Sequence, residues 1–453
     1  MEINTAIVAG TGKSGISATK LLVNHGVKVY LFDENKDRDI EAIKEKTGDS
    51  ELVQIELGEL GEDALSSSQL MVISPGIPVD APFTDVVRNA GIPIWSEIEL
   101  AYHYGKGKIA AITGTNGKTT TTALVGEIVK AHNAKTIVVG NIGIPYTELC
   151  DTTDDDSDTV AEISSFQLET VIDFHPNVSA ILNLTPDHLN RHYTFENYGN
   201  VKFSITKNQT IDDVTVLNYD DEHTRAMGEK AKDHCHVVYF SRLEKPAGGV
   251  YVEDGDIILE DGDKKIHVLA IKDLKLMGAH NVENVLAAVG ISYYMGVPVD
   301  VIRDVATSFK AVAHRIEYVD TIDGVAYYND SKGTNPDAAI KGIQAMVAPT
   351  FLIGGGYDKG SEYDEWIEAF DGKVKWLVLI GQTAQKIADC AKRHGFNSII
   401  FEENLQDAVA YCHENAVDGD AVLLSPACAS WGQFDNYEQR GDMFKEYVRS
   451  YKE

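Results

Sequence analysis

Cysteine is scarce in this 453-residue chain: there are five, at positions 150, 235, 390, 412 and 428, with no C-x-x-C pair among them. That odd, scattered set excludes a disulfide framework and suits a reducing compartment, so a cytoplasmic protein is expected. Positive charge is also in deficit. Forty Lys and Arg stand against 70 Asp and Glu, a net charge of -30. Such a field repels phosphate backbones and anionic lipid, so neither nucleic acid nor a membrane surface is an expected partner. No apolar run reaches ~18 residues, so no membrane span is expected. The first residues, MEINTAIVAGTGKSG, lack the basic-then-apolar order of a secretory leader. Internal repeats and low-complexity linkers are missing too. What remains is 43% hydrophobic and 24% charged, an ordinary globular composition. The length exceeds one core, so two or three domains are expected. Any anionic ligand must be held by local cations and helix N-termini, against the general field.

The most informative segment is IAAITGTNGKTT, residues 109–120. An apolar strand enters a Gly-rich turn and then a helix-forming stretch, the layout of a nucleotide phosphate cradle. Lys118 supplies charge for the β/γ-phosphates and Thr119 a hydroxyl for Mg²⁺. The strict signature wants a further Gly where Ile112 stands, so the match is to a shorter variant, GTNGKT.

Three α/β blocks follow from the alternation of strand and helix patterns. The first starts with a strand at 5–9, the turn GTGKSG and a helix over 16–25. A strand at 27–32 follows, ending at Asp33, and later strands fall near 70–74 and 92–95. A G-x-G-x-x-G turn with an acid about 20 positions on is the dinucleotide fingerprint. Taken alone it points to an NAD-dependent oxidoreductase, a reading that leaves the whole second block unused. The second block carries strands near 136–139, 159–163, 178–183 and 214–218, hairpins over 248–268 and a helix over 281–295. The third carries strands near 326–329, 350–353, 376–380, 399–401 and 421–425.

Several polar groups gather after these strands, where parallel sheets present ligands. Glu162 ends a strand beside the phosphate loop, a position typical of an Mg²⁺ holder and equally open to a surface ion pair. Asp187-His188 follows an apolar strand and is read as a metal or phosphate neighbour, or as a helix cap. Lys202 lies in a helical stretch among apolar neighbours. Most such lysines snorkel to solvent, whereas a buried one has a lowered pKa and is nucleophilic.

Together these segments resemble the Mur ligases of peptidoglycan precursor synthesis, over essentially the whole chain. GTNGKTTT, GNIGIP (140–145), ISSFQLE (163–169), NLTPDHL (183–189), GAHNVEN (278–284), AHRIE (313–317) and NDSKGTNP (329–336) carry the likeness. LLSPACASWGQF (423–434) looks like the branch that adds D-glutamate. The resemblance implies a Rossmann-like N-terminal domain (1–97) for the UDP-substrate. It also implies a central P-loop-type mononucleotide-binding α/β domain (98–311) and a C-terminal Rossmann-like α/β domain (312–453). It implies ATP- and Mg²⁺-dependent ligation of D-glutamate to UDP-N-acetylmuramoyl-L-alanine through an acyl phosphate, by a monomer. Another amide-forming Mur or folylpolyglutamate-type ligase is the alternative.

By the same likeness, Gly114, Thr115, Asn116, Gly117, Lys118, Thr119 and Thr120 cradle ATP, with Asn284, Arg315 and Asp330 on base, γ-phosphate and ribose. Lys118, Glu162, His188 and Lys202 form the catalytic group. Thr119, Glu162, His188 and Lys202 surround Mg²⁺, the lysine being one that the family carbamylates. Lys13, Ser14, Gly15, Asp33, Ser74, Gly76 and Asn141 face the UDP-substrate, so the GTGKSG turn holds a pyrophosphate rather than NAD. His188, Lys359, Ser430, Trp431 and Tyr437 face D-glutamate. Tyr437 carries over only as a main-chain contact, and Asn190 is assigned no role. A hinge is expected near residues 310–312.

Overall fold

The computed structural model of the protein describes residues 3–141, 143–276, 278–310 and 313–452. Residues 311 and 312, in the expected hinge and at the expected domain boundary, lie outside the described residues, as do Ile142 of the GNIGIP segment and the side chain of Asn190.

Three sheets organise the chain. The first holds β1 (Thr5–Ala9), β2 (Lys28–Asp33), β3 (Val53–Leu57), β4 (Leu70–Ile73) and β5 (Ile94–Ser96), all parallel, in the order β3-β2-β1-β4-β5. The sequence pattern missed β3, whose residues are only partly buried. The second holds β6 (Lys108–Thr113), β7 (Ile137–Gly140), β8 (Asp158–Glu162), β9 (Val178–Ile181), β10 (Val214–Asn218), β11 (His236–Ser241), β12 (Gly249–Glu253), β13 (Asp256–Asp261) and β14 (Lys264–Ala270). Their order is β14-β13-β12-β11-β10-β9-β6-β8-β7. The last three form an antiparallel meander, as the Asp-Gly pairs predict. The third holds β15 (Glu317–Ile322), β16 (Val325–Asn329), β17 (Thr350–Gly354), β18 (Val374–Leu379), β19 (Ile399–Phe401) and β20 (Ala421–Leu424), in the order β15-β16-β20-β17-β18-β19. Only β15 runs antiparallel to its neighbour, and it too escaped the sequence pattern.

Two compact units result: Met1–Asp273 with Glu283–Thr307, and Leu274–Val282 with Ser308–Glu453. The first two sheets share one unit because one apolar cluster runs through both. Val29 and Leu31 of β2 join Ala111 of β6 and Val139 of β7 through Leu21, Ile98 and Tyr146. β4 and β8 are buried end to end, and β6 at every residue but Lys108, as expected where helices cover both faces of a parallel sheet.

Each sheet changes winding direction once. In the first, β2 lies on one side of β1 and β4 on the other. In the second, β8 and β9 flank β6, and in the third β20 sits between β16 and β17. Ligands of open α/β sheets gather beyond the strand ends at such switch points. The Gly-rich turns and the buried acid Asp330 lie at these three places.

Candidate active site

The phosphate loop is shaped by two glycines. Gly114 leaves β6 at φ 146°, and a Cβ there would stand 3.0 Å from Leu182 Cβ. Gly117 caps the helix Lys118–His132 at φ 84°, a left-handed conformation that favours glycine, and a Cβ there would stand 2.3 Å from Asn284 Oδ1. Asn284 also accepts from Thr121 Oγ1 at 3.3 Å, so the structure seats it directly on the loop. Asn183, beyond β9, clamps the turn from the other side: its Oδ1 accepts Asn116 N at 2.8 Å and its carbonyl accepts Thr115 N at 3.1 Å. Lys118 Nζ folds back on the loop, donating to Gly114 O at 2.8 Å and Thr115 O at 2.9 Å. Thr119 and Thr120 follow it in the first turn of the helix.

The other charged candidates converge on this loop. Lys202 is 2% exposed and donates to Gly114 O at 2.9 Å and to Thr113 Oγ1 at 3.3 Å, so it does not snorkel. Burial, with the nearby Lys118 charge adding to it, holds its pKa well below the ordinary lysine value, against the pull of Asp187 and Glu162. Glu162, at the end of β8, is 2% exposed and accepts from Asn141 Nδ2 at 3.1 Å. It is a buried carboxylate, not a surface ion pair. His188 sits at φ 53° at the start of the short helix Leu189–His192, its ring against Phe166. Desolvation lowers its pKa, the Asp187 carboxylate opposes, and the Lys118 and Lys202 charges lower it further, which favours the neutral imidazole. Glu162 and Thr119 offer oxygen, and neutral His188 a nitrogen lone pair. A set dominated by hard oxygen donors beside a phosphate cradle fits Mg²⁺.

On the first sheet the switch point forms a cleft of about 450 Å³. Lys13, Ser14, Asp33, Ser74, Gly76 and Asn141 line it, together with Arg38 and Gln167, which the sequence reading did not select. Gly15 is not a lining residue. It is small because the chain crosses itself there: a Cβ would stand 1.8 Å from Gly10 O. Asp33 is bound by its own turn, accepting from Thr11 Oγ1 at 2.6 Å, Thr11 N at 3.1 Å and Asn35 N at 3.0 Å, with Arg38 Nε at 3.2 Å. Burial raises its pKa, but these partners outweigh it and leave it lowered, so the acid stays ionised.

In the second unit Asp330 follows β16 and is buried, 4% exposed. It accepts from Ser425 Oγ at 2.6 Å and Ile316 N at 3.3 Å. Burial pushes its pKa to about 7, against the hydrogen bond from Ser425 and the charge of Arg315. Lys359 Nζ lies over the Trp431 ring, 4.6 Å from its centroid, and Tyr357 meets the same ring edge-on. The exposed Trp431 is thus a platform for the lysine. Ser430 is buried beside it. Tyr437 opens the helix Tyr437–Arg449, and its carbonyl accepts from Ser331 Oγ at 2.8 Å.

Four supporting residues escaped the sequence reading. Tyr198 Oη meets Thr115 Oγ1 at 3.0 Å and its ring lies under Lys202. Arg191 grips Glu169 and reaches Ile77 O at 2.8 Å, tying the His188 helix to the rim of the 450 Å³ cleft. The fully buried Glu97 accepts from Thr147 N at 2.7 Å and from Gln167 Nε2 at 3.4 Å, and burial raises its pKa. Arg440 is buried and grips Ser331 and the Cys428 carbonyl. The only signal available was a polar residue inside an apolar pattern, which does not name its partner.

Known proteins share this domain organisation. Residues 4–96 match the family described as Mur ligase MurD-like, N-terminal domain; residues 112–292 match Mur ligase middle domain; residues 314–428 match Mur ligase, glutamate ligase domain. A protein of Lachnospira eligens named UDP-N-acetylmuramoylalanine--D-glutamate ligase is 56% identical over 450 residues, covering 99% of both chains. One of Lachnoclostridium phytofermentans with the same name is 51% identical, covering 99% of this chain and 98% of the relative. Among solved structures, UDP-N-acetylmuramate-alanine ligase from Thermotoga maritima superposes with a TM-score of 0.62 at 20% identity, covering 99% of this chain and 100% of the other. MurF ligase from the same organism, in complex with ADP, has a TM-score of 0.59 at 16% identity, covering 98% and 95%. These two likenesses concern the fold alone. Three consecutive domain matches and near-full-length identity above one half make the conclusion direct: the chain belongs to the Mur ligase family.

Proposed function

We propose that this chain joins D-glutamate to UDP-N-acetylmuramoyl-L-alanine at the expense of ATP, an acid–amino-acid ligase of peptidoglycan precursor synthesis. The observation that carries the reading is the meeting of Lys118, Lys202 and Glu162 at one Gly-rich loop, in a chain 56% identical to a relative named for that reaction. The γ-phosphoryl of ATP passes to the substrate carboxylate, and ADP leaves. The amine of D-glutamate then attacks the acyl carbon, the carbon–oxygen bond to phosphate breaks, and the nitrogen loses a proton.

Two anions must be held in line for the first step, which requires charge neutralisation and positioning. Lys118 and the loop amides 114–120 hold the phosphates, and Asn284 takes the base. Mg²⁺, held by Thr119, Glu162, His188 and carbamylated Lys202, supplies charge neutralisation at the phosphates. The neutral form of the buried Lys202 amine, which its lowered pKa favours, is the one that adds CO₂, and the product is an anionic oxygen ligand that suits this cation. Asn141, bonded to Glu162 and lining the 450 Å³ cleft, connects the metal group to the UDP-substrate site formed by Lys13, Ser14, Asp33, Ser74 and Gly76, with Gly15 shaping the turn beneath it. In the second unit, Arg315 and Asp330 are assigned to the γ-phosphate and ribose. Lys359, Ser430, Trp431 and Tyr437 are assigned, with His188, to D-glutamate. The domain limits 1–97, 98–311 and 312–453 and a monomeric, cytoplasmic state belong to the same reading. No helix among the described residues is long and apolar enough to cross a membrane.

The deciding experiment is mass spectrometry of products from ATP, UDP-N-acetylmuramoyl-L-alanine and a panel of amino acids. A product with D-glutamate and none with L-glutamate is expected. Equal turnover of the two enantiomers would sink the assignment.

A further inference from the structure

Away from these groups, the second unit brings a thiol, an imidazole and a carboxylate together. Asp364 opens the helix Asp364–Glu368. Cys390 lies in the helix Ala384–Arg393, and His394 caps its C-terminus. Residues four apart share a helix face, so Cys390 and His394 point the same way. A ligating atom from each of the three residues lies within 4.8 Å of the other two. Asp364 Oδ1 is 2.8 Å from His394 Nε2, and the other ring nitrogen, Nδ1, stands 3.7 Å from Glu368 Oε1. The thiol is buried, while the His394 and Asp364 side chains are 26% and 44% exposed, so the group is open to solvent on one side.

We propose that Asp364, Cys390 and His394 bind one divalent transition-metal ion of borderline softness, with Zn²⁺ the best match, and water as a fourth ligand. Sulfur, nitrogen and carboxylate oxygen in a three-ligand set are what such an ion takes, whereas Mg²⁺ and Ca²⁺ take oxygen. On binding, the Cys390 S–H bond breaks, the proton goes to solvent and the thiolate bonds the metal, with no change of oxidation state. The His394 ring then donates its remaining N–H towards Glu368, the outer carboxylate that orients metal-bound imidazoles. Arg393 Nη2, 3.5 Å from Asp364 Oδ1, is the cation that the metal must displace.

Among the described residues a second trio, Glu99, His103 and Asp173, satisfies the same distance test. It differs in its chemistry. The Glu99 oxygens already accept from the amides of Ile172, Asp173 and Phe174, and there is no thiol. That carboxylate is a backbone clamp and serves as the internal control.

The test uses the full chain, stripped with a chelator, kept reduced and titrated with Co²⁺ as the probe. One equivalent is expected to produce a thiolate-to-cobalt absorption band, bleached when Zn²⁺ is added. Cys390→Ser should abolish the band, Glu368→Gln should weaken binding about tenfold, Arg393→Gln should tighten it, and His103→Gln should leave it unchanged. If Cys390→Ser does not fold, His394→Gln, at an exposed helix end, carries the same test through at least tenfold weaker binding. No thiolate band in the wild type, or the same band in folded Cys390→Ser, would overturn the proposal. So would unchanged affinity in both Arg393→Gln and His394→Gln, since a mere hydrogen-bonded cluster would produce that result.

Discussion

Lys118 and Lys202 donate to the same acceptor, the carbonyl oxygen of Gly114, at 2.8 and 2.9 Å. Burial lowers the pKa of Lys202, and the repulsion between two ammonium groups at one oxygen adds to it. A lowered pKa favours the uncharged amine, the form that adds CO₂ in the proposed mechanism. Lys202→Ala is expected to lose about 10²-fold or more of turnover, the scale of a single electrostatic group in an active site, with the far-UV spectrum unchanged. Acetate or formate should restore part of it by supplying the missing carboxylate. Near-normal turnover of Lys202→Ala, or indifference of the wild type to removal of dissolved CO₂, would refute the carbamate.

Lys118→Ala tests the other partner. In the proposed mechanism its charge acts on the transferring phosphoryl group, so kcat should fall about 10²–10³-fold. The substitution also relieves the repulsion on Lys202, whose pKa should rise towards the ordinary value. Activity within tenfold of the wild type would place the phosphates elsewhere.

Much of this was legible in the chain, and the exceptions share a cause. Gly117 and Lys118 announce their cradle because local backbone geometry demands those residue types in that order. Val214–Asn218 was read correctly because an apolar run between turns leaves few alternatives. Tyr198, Glu97, Arg191 and Arg440 were missed because their partners lie far off in sequence: Tyr198 meets Thr115 across 83 positions and Arg440 meets Ser331 across 109. β15 was missed because its exposed and half-buried residues carry no clean period. The joining of the first two blocks through one core was equally hidden, since it depends on which helix faces meet.

Gly15→Ala tests the cleft proposed for the UDP-substrate apart from the loop proposed for ATP. Alanine in a helix normally stabilises relative to glycine by about 0.5–1 kcal/mol. Here the added Cβ would sit 1.8 Å from a backbone oxygen, Gly10 O, which cannot swing away as a side chain would. The clash wins and the GTGKSG turn must open. KM for the UDP-substrate is expected to rise at least tenfold while KM for ATP changes little. A rise in both would show that the damage spreads beyond the turn.

The buried acid Asp330 makes stability depend on pH in an unusual direction. Its folded pKa is raised by burial from 3.8 to about 7, so the folded state prefers the proton more than the unfolded chain does. The stabilisation is therefore complete below the unfolded value, declines as pH rises, and is gone above about 7, a swing on the order of 4 kcal/mol if it is undiluted. Arg315 and Arg440 nearby limit it, since each favours the ionised form. Asp330→Asn keeps the shape and an oxygen for Ser425 but does not titrate. Thermal melting of both proteins from about pH 4 to pH 8 reads the difference directly. Relative to the wild type, the asparagine variant should gain stability steadily as pH rises towards 7 and then level off. All other titrations cancel in that difference unless they couple to Asp330. A constant offset across the range would mean that the carboxylate is ionised in the folded protein throughout, held there by the two arginines.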